Sequence, residues 1–292
     1  MSAFVMKKIV LALVLASIAP IHRVEAAPPT VSMNVIAPAY FTAYPGMSMS
    51  RDSQGILVVR MHSKGGPLVF TAQHHTDFVD AFYRIAQDRK NTVVILTGEG
   101  GEFIPAIDFN SFGNVADPAV WSQVHDEGVQ MLENLANIRV PMIAAVEGRA
   151  NVHSEFALMA NVIIAGENAS FNDLPHFAGG IVPGDGIFTT WSYRAGPGRA
   201  EAFLLNPQPI NAKTAQSWGV VAEVVKDGQS LVRAKELASL YLKAPEVTRR
   251  NTRAHFIQPL KMRIVSEVGY GLSLEGASAA DLVKRLQQSS KP

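Results

Sequence analysis

Two imidazoles and two carboxyl groups lie close together near the middle of this chain: His153 and Glu155, then His176, then Asp185 nine residues beyond it. An imidazole with one nitrogen bonded to a carboxylate can use the other as a general base toward water. Gly179-Gly180 and Pro183-Gly184 let the chain double back between His176 and Asp185, so the carboxylate can reach one ring nitrogen and leave the second for the solvent molecule. A histidine in an apolar stretch is also a common packed core residue, hydrogen-bonded and inert. The residues alone leave both readings open.

The surrounding motifs carry more. Ala144-Ala145-Val146-Glu147-Gly148 leads into Asn151-Val152-His153-Ser154-Glu155, an apolar segment runs to Ala165, and Pro175-His176-Phe177-Ala178-Gly179-Gly180 continues into Ile181-Val182-Pro183-Gly184-Asp185-Gly186. From about Gly55 to Glu275 this layout resembles the crotonase (enoyl-CoA hydratase/isomerase) superfamily, with Val152 and His153 at the family's Gly-Gly positions, Glu155 at its first glutamate and His176 at its second. Those changes bring it close to the β-diketone hydrolase branch typified by 6-oxocamphor hydrolase.

That resemblance implies an α/β crotonase-type ββα superhelix with a C-terminal helical trimerisation region. It also implies a hydrolase that cleaves the carbon-carbon bond of a non-thioester β-diketone by a retro-Claisen route. His176 would activate water, oriented by Asp185; His153 would donate to the developing oxyanion; Glu275 would position groups or return a proton. Phe70 falls at the branch's aromatic substrate-binding position, where the camphor enzyme has a Trp, and Glu155 would orient its neighbours. The small-molecule diketone would be the partner, in a homotrimer or dimer of trimers, with no metal and no cofactor.

One rival is a CoA-thioester hydratase or isomerase working through Glu155, and a second is a non-catalytic binding module on the same scaffold. Against the first, the family's oxyanion N-H would come from around Pro105, which has none to give. Asp108 matches an acid of the same loop that is structural in the family. The chain has no G-x-S-x-G elbow, no H-E-x-x-H helix and no G-x-x-x-x-G-K-[ST] loop, so serine-hydrolase, zincin and P-loop chemistry lack their motifs. Adjacent His74 and His75 would point about 100° apart on a helix, which suits a helix start better than a chelate.

The elements that must hold these groups are readable from periodicity. Ile56 to His62, Val93 to Thr97 and Met142 to Val146 are short β-branched runs, as strands are. His75 to Arg89 and Trp121 to Ile138 space their apolar residues at three and four, as helices with one buried face do. After Asn211 the clearest segments, Leu231 to Leu242 and Arg249 to Leu274, are helical. The boundaries expected are a leader over 1–26, an extended arm over 27–45, a core over 46–210 and a helical region over 211–292.

Lys7-Lys8, an apolar run from Ile9 to Ile21 and the small-residue exit Val24-Glu25-Ala26 read as a signal peptide, shorter than the ~20 residues that span a bilayer. Its removal takes away three cations and one anion, turning a net charge of +1 into about −1. A domain so close to neutrality lacks the basic footprint of a nucleic-acid binder. No later stretch is apolar enough to span a membrane, and the absence of cysteine is compatible with export. The mature protein should therefore begin near Ala27, in the periplasm or outside the cell. N-terminal sequencing of the natively expressed protein checks this, and an intact Met1 on a cytoplasmic protein would end it.

Overall fold

The computed structural model describes residues 37–206 and 208–289, so the leader expected at 1–26 lies outside the described residues. Among the described residues eleven strands occur in chain order: β1 (Met47–Arg51), β2 (Ile56–Met61), β3 (Val69–Phe70), β4 (Val93–Gly98), β5 (Ala106–Ile107), β6 (Met142–Val146), β7 (Arg149–Ala150), β8 (Val162–Gly166), β9 (Ser170–Phe171), β10 (Ile210–Asn211) and β11 (Glu223–Val225). Six of them form the main sheet in the order β1-β2-β4-β6-β8-β11. The β1/β2 pair is antiparallel and the remaining neighbours are parallel.

Every residue of β4 and of β6 is buried, the pattern of parallel strands covered on both faces. One face packs under the large core, which includes Leu57, Val94, Leu96, Ala144 and Phe156. The other face, through Val93, Ile95, Ile143 and Ile164, packs on Ala234 and Ala238 of the Ser230–Tyr241 helix. β2, β4, β6 and β8 are each followed by a short strand that joins a second layer. β3 pairs with β5, a single bridge links Ile104 to Ala150, and β7, β9 and β10 continue the run. Strand, short strand and helix repeat along the chain, which is the ββα superhelix implied by the motifs.

Two helices match their periodicity closely. Ala72–Gln87 buries Phe78, Phe82 and Ile85 and starts with a capping box in which Thr71 and His74 satisfy each other's backbone N-H groups. His74 is thus a cap. Pro118–Asn137 begins with Asp117 as its N-cap and a proline in the first turn, and buries Met131, Leu132 and Leu135.

Three boundaries differ from the expectation. The described part of the supposed arm turns through a 3₁₀ segment at Ala39–Thr42 and sinks Phe41 and Tyr44 into the core, with the Tyr44 hydroxyl donating to Asp80 at 2.6 Å. The core does not close at residue 210 either, because β11 adds an edge strand to the main sheet from within the C-terminal part. A three-residue strand is too short to register as a pattern. Finally, the last helix runs from Glu246 to Ser289, well beyond the Arg249 to Leu274 expected, and passes straight through Pro259. Burial of Ile257, Leu260, Ile264, Val268 and Leu272 at three- and four-residue spacing holds it together where a proline alone would end a helix.

This long helix is clamped to the 182–186 loop by contact between two backbones. A Cβ on Gly271 would lie 2.4 Å from the carbonyl oxygen of Gly184, and one on Gly184 would lie 2.2 Å from that of Gly271. Ser278 adds a hydroxyl that accepts from the Val182 N-H at 2.9 Å. Gly271→Ala should therefore force backbone apart and destabilise the fold by about 1–3 kcal/mol, as overpacking does. Gly269→Ala, on the same helix but with its nearest neighbours at 3.7 Å or more, should be neutral or stabilise by about 0.5–1 kcal/mol. Denaturant midpoints of the two variants check the contrast, and equal midpoints would show that the contact carries no load.

Candidate active site

The chain leaves β6 through Gly148 and β7, then places His153 in the left-handed region at φ 47°, a conformation that costs a residue with a Cβ roughly 1–2 kcal/mol. This is the backbone of a glycine position filled by an imidazole. What holds it is contact on every side of the ring. Phe156 stacks on it with centroids 5.0 Å apart and planes 5° apart, and Phe70 tilts against it at 4.2 Å. Its Nδ1 bonds Glu155 Oε1 at 2.6 Å and lies 3.3 Å from Asp185 Oδ2.

Phe70, expected at the substrate-binding position, is fully buried among His153, Phe78 and Phe156, where it supports the imidazole. Glu155 is likewise enclosed at the start of the short Glu155–Leu158 helix, bonded to His153 rather than open to a ligand, and its Oε2 has no partner. Both act through His153.

His176 lies in the loop after β9, and its geometry corrects the dyad expected with Asp185. Nδ1 is bonded to Asp173 Oδ1 at 2.7 Å, while Asp185 Oδ2 and Glu275 Oε1 stand off Nε2 at 3.6 and 3.7 Å, beyond hydrogen-bond length. Asp173 therefore orients the ring, and Asp185 belongs to its reacting side. The loop does double back, but it delivers Asp185 to a point between the two imidazoles. Asp173 is the residue that motif reasoning missed, although a carboxylate three residues before a histidine in Asp173-Leu174-Pro175-His176 is a usable signal.

Glu275 comes from the long C-terminal helix and is buried, although an exposed helical position is the commoner place for a glutamate. The clamp between Gly184 and Gly271 explains its approach, because it brings that helix onto the loop that carries Asp185. What solvent reaches the cluster touches His153, Asp185 and Glu275, each with side chains about a tenth exposed. Asp108 stays structural as an N-cap of the Phe109–Phe112 turn, its carboxylate accepting from Asn110.

Fully ionised, the two imidazolium rings and the carboxylates of Asp173, Glu155, Asp185 and Glu275 would leave two negative charges in excess in a buried place. Protons move to relieve this. Burial opposes charge on His153, but Glu155 and Asp185 outweigh it and push the ring up to about 10. Burial and the charge of Asp185 push Glu155 up to about 7, and burial also raises Glu275. Asp185, between two rings, is held below the usual carboxylate range in spite of its burial. For His176, Asp185, Asp173 and Glu275 together overcome burial and raise it. Since His176 and Glu275 face each other and both rise, they hold a proton as a pair.

Two overlapping sets of donor atoms, His153/Glu155/Asp185 and His176/Asp185/Glu275, are close enough to surround a cation. A metal would have to displace the protons that now neutralise the cluster, since imidazole binds metal only when neutral. The N-H groups near Pro105 are spent elsewhere: Asn151 and Val152 both donate to the Ile104 carbonyl, at 3.0 and 3.2 Å.

Comparison with known proteins agrees with this scaffold. Residues 51–271 match the family described as enoyl-CoA hydratase/isomerase. A solved structure of a β-diketone hydrolase from the cyanobacterium Anabaena sp. PCC 7120, bound to (S)-3-oxocyclohexyl acetic acid, is 44% identical, with a TM-score of 0.83, covering 85% of this chain and 99% of that one. A probable peroxisomal enoyl-CoA hydratase of Arabidopsis thaliana is 28% identical over 82% of this chain and 84% of its own. The 2,3-dehydroadipyl-CoA hydratase of Escherichia coli is 33% identical over 53% of this chain and 59% of its own. An enoyl-CoA hydratase/isomerase structure from Mycobacterium paratuberculosis, 21% identical with a TM-score of 0.75 over 81% of this chain and 94% of that one, shares the fold. The chain belongs to the enoyl-CoA hydratase/isomerase family, and its structure is similar to that of a β-diketone hydrolase.

Proposed function

We propose that this protein hydrolyses a carbon-carbon bond of a non-thioester β-diketone. The observation that carries the proposal is the sharing of Asp185 between two imidazoles, 3.3 Å from the orienting nitrogen Nδ1 of His153 and 3.6 Å from the reacting nitrogen Nε2 of His176. The likeness to the cyanobacterial β-diketone hydrolase supports the same reading.

In the proposed route a water molecule meets Nε2 of His176 where Asp185 and Glu275 stand too far for direct bonds. With the shared proton on Glu275, Nε2 is free to accept one from water, and the hydroxide adds to a ketone carbonyl carbon. The nascent oxyanion accepts from Nε2-H of His153, whose other nitrogen is engaged by carboxylates and whose ring stays cationic. The tetrahedral intermediate collapses by breaking the bond to the carbon between the two carbonyls. That electron pair leaves as an enolate on the second ketone, the attacked carbon becomes a carboxyl group, and the enolate takes its proton from Glu275 or His176.

A thioester hydratase is less well supported. It would need Glu155 as a free acid or base, whereas Glu155 is enclosed and bonded to His153. The trimeric or hexameric assembly is also a proposal, and the exposed Met262, Val265 and Tyr270 on the long helix support it. Export in a processed form is proposed with it.

His176→Ala should lower the rate by roughly two to four orders of magnitude, the range for a lost general base. Asp173→Asn should also impair turnover and alter the pH-rate profile, because an amide can favour the wrong tautomer and cannot stabilise the imidazolium. His153→Ala removes an oxyanion donor worth about 3 kcal/mol. Steady-state rates on a panel of cyclic and linear β-diketones, followed by loss of diketone absorbance and acid release, check all three. Parental turnover in folded His176→Ala would refute the base. Activity should also survive exhaustive chelation, and its loss with recovery on adding one divalent metal would assign the donor sets to a cation.

A further inference from the structure

A cavity of about 670 Å³ lies away from the acid-imidazole cluster, where the starts of β6 and β8 meet the early turns of the long helix. None of the cluster residues lines it. Three arginines do, Arg194, Arg249 and Arg253, and among the described residues no Asp or Glu is present in its wall.

The guanidinium groups are partly spent on backbone. Arg253 donates through Nε to the Ile138 carbonyl at 3.3 Å and through Nη2 to that of Met159 at 3.0 Å. Arg194 donates through Nε to the Leu158 carbonyl at 3.0 Å and through Nη2 to that of Ala160. Those bonds cap the chain around the end of the Glu155–Leu158 helix and, at Ile138, the end of the Pro118–Asn137 helix, and are a structural duty. They satisfy donors without cancelling charge.

Two observations go beyond that duty. Among the described residues, Nη1 of Arg253 and Nη1 of Arg194 make no hydrogen bond, and neither atom is sealed away from open space. Arg253 is nevertheless 1% exposed overall, so open space for its Nη1 means the cavity it lines. In addition, none of the three arginines forms an ion pair among the described residues. Buried charges are normally paired, and two guanidinium groups sharing a cavity without a carboxylate are an unmet electrostatic demand. Burial and the charge of Arg194 accordingly bring Arg253 down to about 9.

We infer that this cavity is a second ligand site, for an amphipathic monocarboxylate whose head meets Arg253 and Arg194 and whose apolar tail lies along the rest of the wall. A planar carboxylate suits the free edges of guanidinium groups. Val162, Tyr241, Phe256 and Ile257 offer the tail an apolar surface, and the volume falls in the range of small-molecule clefts. A polyphosphate or nucleotide would gain little from such a wall. The inference does not depend on the proposed reaction.

Isothermal titration of the full-length protein with octanoate tests it, with 1-octanol as the uncharged probe. Arg253 variants risk the fold, so the informative change is Thr252→Glu, which puts a carboxylate in the wall from an exposed position, with Ser266→Glu as a charge-matched control elsewhere on the helix. Octanoate should bind saturably at one site per chain, more weakly at higher salt, and 1-octanol should not. Thr252→Glu should weaken octanoate at least about tenfold with its melting temperature unchanged. Ser266→Glu and His176→Ala should keep wild-type binding. No saturable binding, equal binding of 1-octanol, or no effect of Thr252→Glu would overturn the inference. Loss of binding in His176→Ala would do so as well, because it would place octanoate in the active site.

Discussion

The structure around the cluster is governed by the difficulty of keeping charge in a dry place. Asp185 is the hinge of that problem, since it faces both imidazoles while buried between a loop and a helix. A lone buried carboxylate would simply protonate. It remains ionised because two rings stand on either side, His153 kept cationic by Glu155 and Asp185 together, and His176 oriented by Asp173 and sharing a proton with Glu275. Each group sets the protonation of the next, and the two glutamates take up the protons that bring the whole near neutrality. The left-handed backbone at His153, the aromatic rings packed around it and the Gly184–Gly271 contact are all conditions for that arrangement.

What the sequence made legible follows from how locally each feature is encoded. The helices at Ala72–Gln87 and Pro118–Asn137 were readable because their apolar faces repeat over several turns and their caps are explicit. The strands of the main sheet were readable as β-branched runs. β11 was not, because three residues carry no period, and the turn at Ala39–Thr42 was not, because its order comes from burying Phe41 and Tyr44 against distant partners. The apolar pattern of the last helix weakens at its ends, and tertiary contacts carry the helix beyond it.

The site was legible in its membership more than in its wiring. Motif positions located His153, His176, Asp185 and Glu275, and the fold brings these four together. They could not say which carboxylate meets which nitrogen. A nine-residue loop can deliver Asp185 to either side of the His176 ring, whereas Asp173 lies three residues away in the same loop and takes Nδ1 at short range. Phe70 shows the same limit. Its position relative to the motif was clear, but whether its face meets a ligand or the back of another ring depends on packing from Phe78 and Phe156.

Under the proposed function, the wiring would let the scaffold carry a different chemistry without rebuilding its core. A proline at residue 105 supplies no N-H, and the N-H groups of Asn151 and Val152 are consumed by a single carbonyl, so backbone donors are scarce where a thioester oxygen would need them. An imidazolium held by two carboxylates is a stronger donor than a backbone amide, and it carries its own charge. The same arrangement removes Glu155 from independent acid-base work, since a carboxylate 2.6 Å from a cationic ring is tied to it. The imidazole at residue 153, in its left-handed backbone, and the engagement of Glu155 are therefore inseparable in physical terms. Neither residue can be assigned a contribution apart from the other, and effects of changing them should couple strongly, as neighbours in one charge network do.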